Sequence, residues 1–342
     1  MPHHFSRTAF VTGATGLLGN NLVRRLLGDG WRVRALVRSA DKARIQFADL
    51  PVELVAGDMG DVDAFAPTLA GADVLFHTAA YFRASYRGGR HRTELDRINV
   101  RGTGTLVDAA YAAGVRRVVQ VSSIATLDGP PGGTIDETMR RREADADDYA
   151  RSKLLADAEL DARLARHADL WAAVVLPGWM HGPGDIGPTS AGQVTLDFMR
   201  RMLPGVPPGT VALVDARDVA DAMLAAERRG GRGERYLAAG RHLDMREFLA
   251  MLERVTGVPA PRRAIPLPLL WPLAAVSEAW SSVSGRPVLL GLASVRLIAR
   301  EADRTRFDHA KSARELGLAF RPVEETLRDE VAWYRANGWL AG

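Results

Sequence analysis

Tyr149 and Lys153 stand four residues apart in "DDYARSKLLAD" (147–157), at the head of a stretch with helical periodicity. Four residues make about one helical turn, so the phenol and the ammonium share a face. A phenol ordinarily loses its proton near pH ~10. A neighbouring cation lowers that value and turns tyrosine into a general acid or base at neutral pH. Chance seldom produces this pair. Six tyrosines and three lysines in 342 residues predict roughly 0.05 occurrences of Y-x-x-x-K. Only Lys42, Lys153 and Lys311 are lysines, against 42 arginines among the 45 basic residues, so a lysine here is informative. A guanidinium spreads its charge over a wide flat group and is a poor substitute for a compact ammonium. The ordinary alternative is a solvated helix face.

A hydroxyl is expected to complete the set. "VVQVSSIATL" ends a strand-like run in Ser122 and Ser123, the latter 26 residues before Tyr149. Strand alternation points the two serines to opposite faces. We assign Ser123 to the hydroxyl that shares a substrate oxygen with Tyr149, and Ser122 to support beside it.

Far upstream, "FVTGATGLLGNNLV" sets Gly13, Gly16 and Gly19 between the first strand and the first helix. One glycine permits a tight turn, another lets backbone approach a pyrophosphate, and the third lets helix pack on strand. The phosphates then meet free N–H groups at the helix N-terminus. With 33 glycines, a G-x-x-G-x-x-G triplet is expected roughly 0.3 times by chance, so its location carries the assignment. Dinucleotide binding is expected here, with Thr15, Leu17 and Leu18 lining the turn. The second strand ends in Arg38-Ser39, where an acidic residue would hold a ribose 2′-hydroxyl. Arginine instead pairs with a 2′-phosphate, which favours NADP(H) over NAD(H). Asp58, just after the third strand with Met59 beside it, is placed to receive the adenine amino group. Lys153 has a second expected duty, holding the cofactor's ribose hydroxyls.

The elements that position these groups alternate in type. Strand patterns at 8–13, 31–38, 52–57, 73–80, 116–123 and 170–178 are separated by helical ones, the longest at 94–113 and 149–167. Such alternation predicts an α/β, Rossmann-like, doubly wound parallel sheet. Beyond residue 177 proline and glycine become dense. Two strand patterns (211–214, 235–239) and helices at 216–228, 243–256, 289–300, 308–316 and 323–337 predict a smaller, mostly helical substrate domain. The expected division is 1–176 for the dinucleotide and 177–342 for the cap, with 211–230 interleaved.

Composition sets limits on function. Without cysteine there is no disulfide, thiolate metal site or cysteine nucleophile, and the chain suits a reducing cytoplasm. The start, "MPHHFSRTAFVTG", has no signal-peptide shape. The net charge is only +4, and arginines alternate with acids as in "RREADADD", so nucleic acid is not an expected partner. No apolar run reaches the roughly 18 residues that span a membrane. "AIPLPLLWPLAAV" (264–276), broken by three prolines, is expected to be buried or pocket-lining, with contact to a membrane surface as the second reading. Histidines lack metal-ligand spacing, so no metal is expected.

The motifs together resemble the extended branch of the short-chain dehydrogenase/reductase superfamily, the NAD-dependent epimerase/dehydratase family. They are "TGATGLLG" (12–19), "GDMGD" (57–61), "HTAA" (77–80), "NVRGT" (99–103), "VSSIATL" (121–127), "YARSK" (149–153), "LPGWMHGPGD" (176–185) and "VDARDVADAM" (214–223), in family order. Within that branch the chain is most similar to dihydroflavonol-reductase-like proteins and nucleoside-diphosphate-sugar epimerases. The resemblance implies that Thr78, Ala79, Ala80 and Val121 lie beside the cofactor. It further implies that Asn99 steadies the central helix and that Pro177, Gly178, Trp179 and Met180 flank the nicotinamide. Leu176 and His181 depart from the family's common residues and are expected near the substrate side, His181 either touching substrate or serving as a hydrogen-bonded structural histidine.

The expected function is reduction of a ketone, or oxidation of a secondary alcohol, with hydride passing to or from nicotinamide while Tyr149 transfers the proton. A nucleoside-diphosphate-sugar epimerase is the alternative. It would use the same Ser123, Tyr149 and Lys153 with retained NAD, and Arg200, Arg201 and Arg232 are candidates for the diphosphate. A third reading is a cofactor-binding scaffold without turnover, for which an intact Tyr-Lys pair has no use. The partner is a small molecule, and the chain is expected as a monomer or a homodimer.

Overall fold

The computed structural model describes residues 7–82, 91–284, 291–301 and 303–340. In chain order the first part runs β1 (Thr8–Thr12), α1 (Leu17–Gly28), β2 (Arg32–Val37), α2 (Ala40–Phe47), β3 (Val52–Ala56) and β4 (Val74–His77). A short α3 (Arg92–Glu94) passes through a wide π turn (Leu95–Arg101) into α4 (Gly102–Ala112) and β5 (Arg117–Val121). A two-residue β6 (Thr134–Ile135) precedes the long α5 (Asp148–Arg166) and β7 (Trp171–Pro177). Then come β8 (Trp179–His181), α6 (Ser190–Met199), β9 (Thr210–Asp215), α7 (Ala216–Arg229), β10 (Arg235–Ala238) and β11 (Arg241–Asp244). The chain closes with α8 (Met245–Thr256), α9 (Leu267–Ser284), α10 (Leu292–Glu301), β12 (Arg306–Phe307) and α11 (Val323–Ala336).

Seven strands form one parallel sheet in the order β3-β2-β1-β4-β5-β7-β10. Alternation along each strand feeds two cores. Ala9, Val11, Val33 and Ala35 face Leu22, Val23 and Leu26 of α1 and Val219 and Met223 of α7. Phe10, Leu36 and Leu75 face the other way, toward Leu106 and Val107 of α4 and Leu160 and Leu164 of α5. Both faces are thus covered, which is why the strands read as continuous apolar runs. Strand order reverses between β1 and β4, and the crevice outside their carboxyl ends is where such folds take ligands.

After β7 the chain builds a third core, in which Phe198, Leu213, Leu243, Phe248, Leu252 and Leu327 pack together. A three-stranded sheet, β11-β9-β8, lies there. The chain then returns to the main sheet, because β10 pairs with β7, Tyr236 opposite Val175.

Some local expectations change. The helix expected at 308–316 is shorter, running over 310–316 with a π turn, Ser312–Leu316, as its main part. Residues 289 and 290 of the helix expected at 289–300 lie outside the described residues, as does the start of the chain through residue 6. The segment 264–276 belongs to none of these three cores. From residue 267 it forms the first half of α9, held by Leu270 and Ala274 against Val295, while Leu269, Trp271, Leu273 and Val276 face outward. Pro266 and Pro268 sit at the start of that helix, where a missing N–H costs nothing, and only Pro272 falls inside.

Candidate active site

Asp147 caps α5 by accepting the backbone N–H of Ala150 at 2.7 Å, which places Tyr149 in the first turn and Lys153 one turn on. The neighbouring β5 ends at Val121. Its Ser123 caps the short turn Ile124–Thr126, and its Oγ accepts the N–H of Ala125 at 3.1 Å. A side-chain hydrogen bond joins Ser123 to Tyr149. Lys153 donates from Nζ to the carbonyl of Val121 at 2.8 Å. The three residues named from sequence therefore meet at the carboxyl end of β5.

Their electrostatics differ from the expectation in one respect. Burial pushes the Tyr149 phenol upward, its bond to Ser123 offsets part of that, and the charges of Asp147 and Asp157 push it further up. Lys153 is not among the causes. Its amine turns to the Val121 carbonyl, and sharing a helix face is insufficient when burial and two carboxylates act in the opposite sense. Burial in turn lowers Lys153 to about 8, with the Asp157 charge holding it up. The phenol is thus kept protonated, which suits a proton donor.

Asp157 is the group the sequence did not mark. It lies one turn beyond Lys153 and is fully buried, accepting from Gln120 and Ser122 at 3.0 Å and from Arg235 at 2.6 Å. The i, i+4 spacing Lys153–Asp157 was its signal, easily lost among 41 acidic residues. Ser122 supports the site through this carboxylate. Phe82, also unmarked, meets the Tyr149 ring edge-on at 4.9 Å.

Asn99 sits in the π turn, a helix distortion often found at functional sites. Its Oδ1 accepts the N–H of Tyr81 at 2.7 Å, and its Nδ2 donates to Ser152 at 3.0 Å, so it ties the segment after β4 to α5. His77 bridges Thr12 at 2.7 Å and Thr103 at 3.0 Å; burial lowers it to about 3, leaving it neutral. Thr78 donates to the Thr12 carbonyl at 2.7 Å, and the Ala79 N–H donates to Thr12 Oγ1 at 3.3 Å. These bonds stitch the ends of β1 and β4, while Ala80 stays exposed.

Gly13 has φ +66°, and a side chain there would meet the Ala79 nitrogen at 2.7 Å. A Cβ on Gly19 would lie 2.2 Å from the Gly13 carbonyl oxygen. Gly16 begins α1 with no side-chain cap and no acid in the first turn, leaving the helix N-terminus open to an anion. A cradle that no Cβ can enter, at an uncapped helix end, fits a dinucleotide pyrophosphate. Thr15 is part-exposed at this turn. The side chains of Leu17, Leu18, Met59 and Val121 are buried, each residue at most 7% exposed. Gly19→Ala is expected to cost about 1–3 kcal/mol of stability, because backbone must yield. It should also abolish the rise in melting temperature expected of wild type with a nicotinamide dinucleotide. A retained rise would sink the cradle assignment.

Arg38 and Asp58 come together at the far end of the crevice, 3.4 Å apart, with 71% and 42% of their side chains exposed. Gly178 squeezes between the carbonyls of Ala239 and Ala212, where a Cβ would be 2.3 and 2.4 Å away. Pro177 is buried beside it, and Trp179 and Met180 are part-exposed in β8. Leu176 and His181 are turned inward, and His181 is the hydrogen-bonded structural histidine. Both are fully buried, Leu176 in the sheet core and His181 2.9 Å from Glu330. Arg232 donates to the carbonyls of Leu164, His167 and Leu170, and Arg200 to that of Trp339, so neither is aimed at the crevice. Arg201, at φ 56°, lines a small surface recess with Phe198, Leu203 and Pro261. No group of metal-ligating side chains occurs among the described residues.

Over residues 9–239 the chain matches the model of the NAD dependent epimerase/dehydratase family. It is 37% identical to sterol demethylase protein B of Methylococcus capsulatus, over 97% of this chain and 100% of the other. It is 32% identical to ceramide reductase of Caulobacter vibrioides, over 96% and 95%. Among solved structures, gox2253 superposes with a TM-score of 0.83 at 33% identity, over 98% of this chain and 100% of that one.

Proposed function

The chain belongs to the NAD-dependent epimerase/dehydratase family, and on that premise we propose that it is an NADP(H)-dependent reductase of a lipophilic ketone. What supports this reading most is the meeting of Ser123, Tyr149 and Lys153 at the end of β5, where burial favours the protonated phenol. Nicotinamide, when bound, supplies the hydride. The protein does the rest. Ser123 and Tyr149 hold the ketone oxygen between two hydroxyls, and Tyr149 gives that oxygen its proton as negative charge develops. Lys153 would hold the ribose of a bound cofactor, and its charge there would ease proton loss from the phenol. Asp157 keeps that lysine charged and is itself held by Arg235, Gln120 and Ser122.

The lipophilic substrate class rests on two relatives named for a sterol and a ceramide. The epimerase alternative needs cations for a diphosphate, and two of the three candidate arginines are engaged with backbone carbonyls. The test is NADPH and NADH consumption against steroid ketones, long-chain 3-oxo compounds and nucleotide sugars. Net NADPH oxidation with an apolar ketone is expected. Sugar epimerisation without net change in cofactor would overturn the proposal.

The exposed Arg38 supports NADP(H), since a guanidinium can take a 2′-phosphate in two parallel hydrogen bonds. Arg38→Glu should weaken NADPH by roughly ten- to a hundredfold and leave NADH little changed. Dissociation constants for both cofactors decide it, and an unaltered ratio removes Arg38 from the site.

A further inference from the structure

The helix α9 is chemically unlike the rest of the surface. Its 18 residues contain a single charge, Glu278, whose carboxylate accepts the N–H of Leu292 at 2.8 Å. Leu269, Trp271, Leu273 and Val276 are 55%, 37%, 45% and 70% exposed, with Pro272 and Ala275 exposed between them. Among the described residues only Ile45, Leu54 and Met202 are other exposed large hydrophobics, and those are scattered. Contiguous apolar surface of this kind marks a binding face. No helix among the described residues is long and apolar enough to cross a membrane, so the face is one that rests on something.

Its surroundings indicate what. Arg262 and Arg263 are exposed just ahead of the helix, the former also bonded to Glu253 at 2.9 Å. Arg296 is exposed on α10, next to the Val295 that packs on α9. Apolar side chains with a tryptophan, flanked by arginine, match a bilayer boundary where anionic headgroups lie above acyl chains. A second copy of the chain would bring like charges together instead.

The α9–α10 hairpin is also fastened to the rim of the site. Glu301 at the end of α10 accepts from Arg141 at 2.9 Å, Arg304 donates to Asp128 at 3.0 Å, and the Gly132 N–H donates to the Asp303 carbonyl at 2.7 Å. β12 then pairs with β6. All of these partners lie on the segment that leaves β5 through Ser123.

We propose that α9 seats the protein on an anionic lipid surface, so that the rim of the active site takes its substrate from the bilayer. This rests on the lipophilic-ketone reading. The test is sedimentation of the full chain with vesicles of phosphatidylcholine alone and of phosphatidylcholine with phosphatidylglycerol, beside the Leu273→Asp/Val276→Asp variant. Wild type should sediment with the anionic vesicles, more weakly at high salt and with neutral ones. The variant should lose about tenfold or more of that binding. Its melting temperature and the rise NADPH gives it should equal those of wild type, which separates lost docking from lost folding. Failure of wild type to bind either vesicle, or equal binding by the variant, would overturn the docking. So would a wild-type dimer that the variant splits, since a second copy then covers α9. Vesicle binding without reduction of any ketone would instead count against the substrate reading alone.

Discussion

Replacing Tyr149 by phenylalanine is expected to lower kcat by about a thousandfold or more, with NADPH affinity held within about twofold. The substitution removes one oxygen and keeps the ring, so the edge-on contact with Phe82 and the fold of α5 persist. On the proposed mechanism, what goes is the proton for the ketone oxygen and one of its two hydrogen-bond donors. Ser123 remains, but its Oγ already serves the Ala125 N–H and has no adjacent cation to make it a strong acid. Single-turnover measurement of NADPH oxidation isolates the chemical step. A variant within tenfold of wild type would mean that the proton comes from elsewhere and that the Tyr-Lys pair is a structural coincidence.

Lys153→Met should separate stability from turnover. The lysine titrates near 8 in the folded protein, against an ordinary 10.5, because burial disfavours its charge. Below about pH 8 the folded chain therefore carries the full penalty of a buried ammonium. As pH rises from 8 toward 10.5, the unfolded chain binds more protons than the folded one and the penalty fades. Methionine has similar length and no charge. At pH 7 the variant is expected to melt above wild type, and the gap should close by about pH 10.5. Its Asp157 is not stranded, since Arg235, Gln120 and Ser122 still hold that carboxylate. Turnover should nevertheless fall by roughly 10²–10⁴. Melting curves across pH and kcat at pH 7 test both halves. A variant less stable than wild type at pH 7 would show that the bond to the Val121 carbonyl outweighs the charge penalty.

The parallel sheet was legible because strands covered on both faces become apolar runs, as in "AFVTG" and "AAVVLPG", and because glycines punctuate the turns between them. The site was legible where chemistry restricts residue type: a lysine in an arginine-rich chain, or a glycine whose Cβ would collide with backbone 2.2 Å away. Other features depend on what lies opposite in space. Asp157 gains meaning only from Arg235, 78 residues later, and from Gln120 on a neighbouring strand. The direction of the Tyr149 shift depends on where the Lys153 amine points, which spacing along a helix does not determine. Whether His181 touches substrate or is structural depends on Glu330, and Leu176 is turned into the sheet core by its place on the strand. The apolar segment at 264–276 reads as core because apolar residues usually are; two of its prolines fall at a helix start and one inside it, and its neighbours cover only one side of it.

The return of β10 to the main sheet has a consequence for synthesis. β7 leaves the ribosome as "WAAVVLP", and its outer edge acquires a partner only when residues 235–238 follow, after β8, α6, β9 and α7 have been made. During that interval a fully apolar strand offers unpaired N–H and carbonyl groups, the arrangement most prone to pairing with another nascent chain. A gene cut at residue 176 would make that exposure permanent. Such a fragment should accumulate as aggregate, whereas one carried through residue 240 closes its own edge.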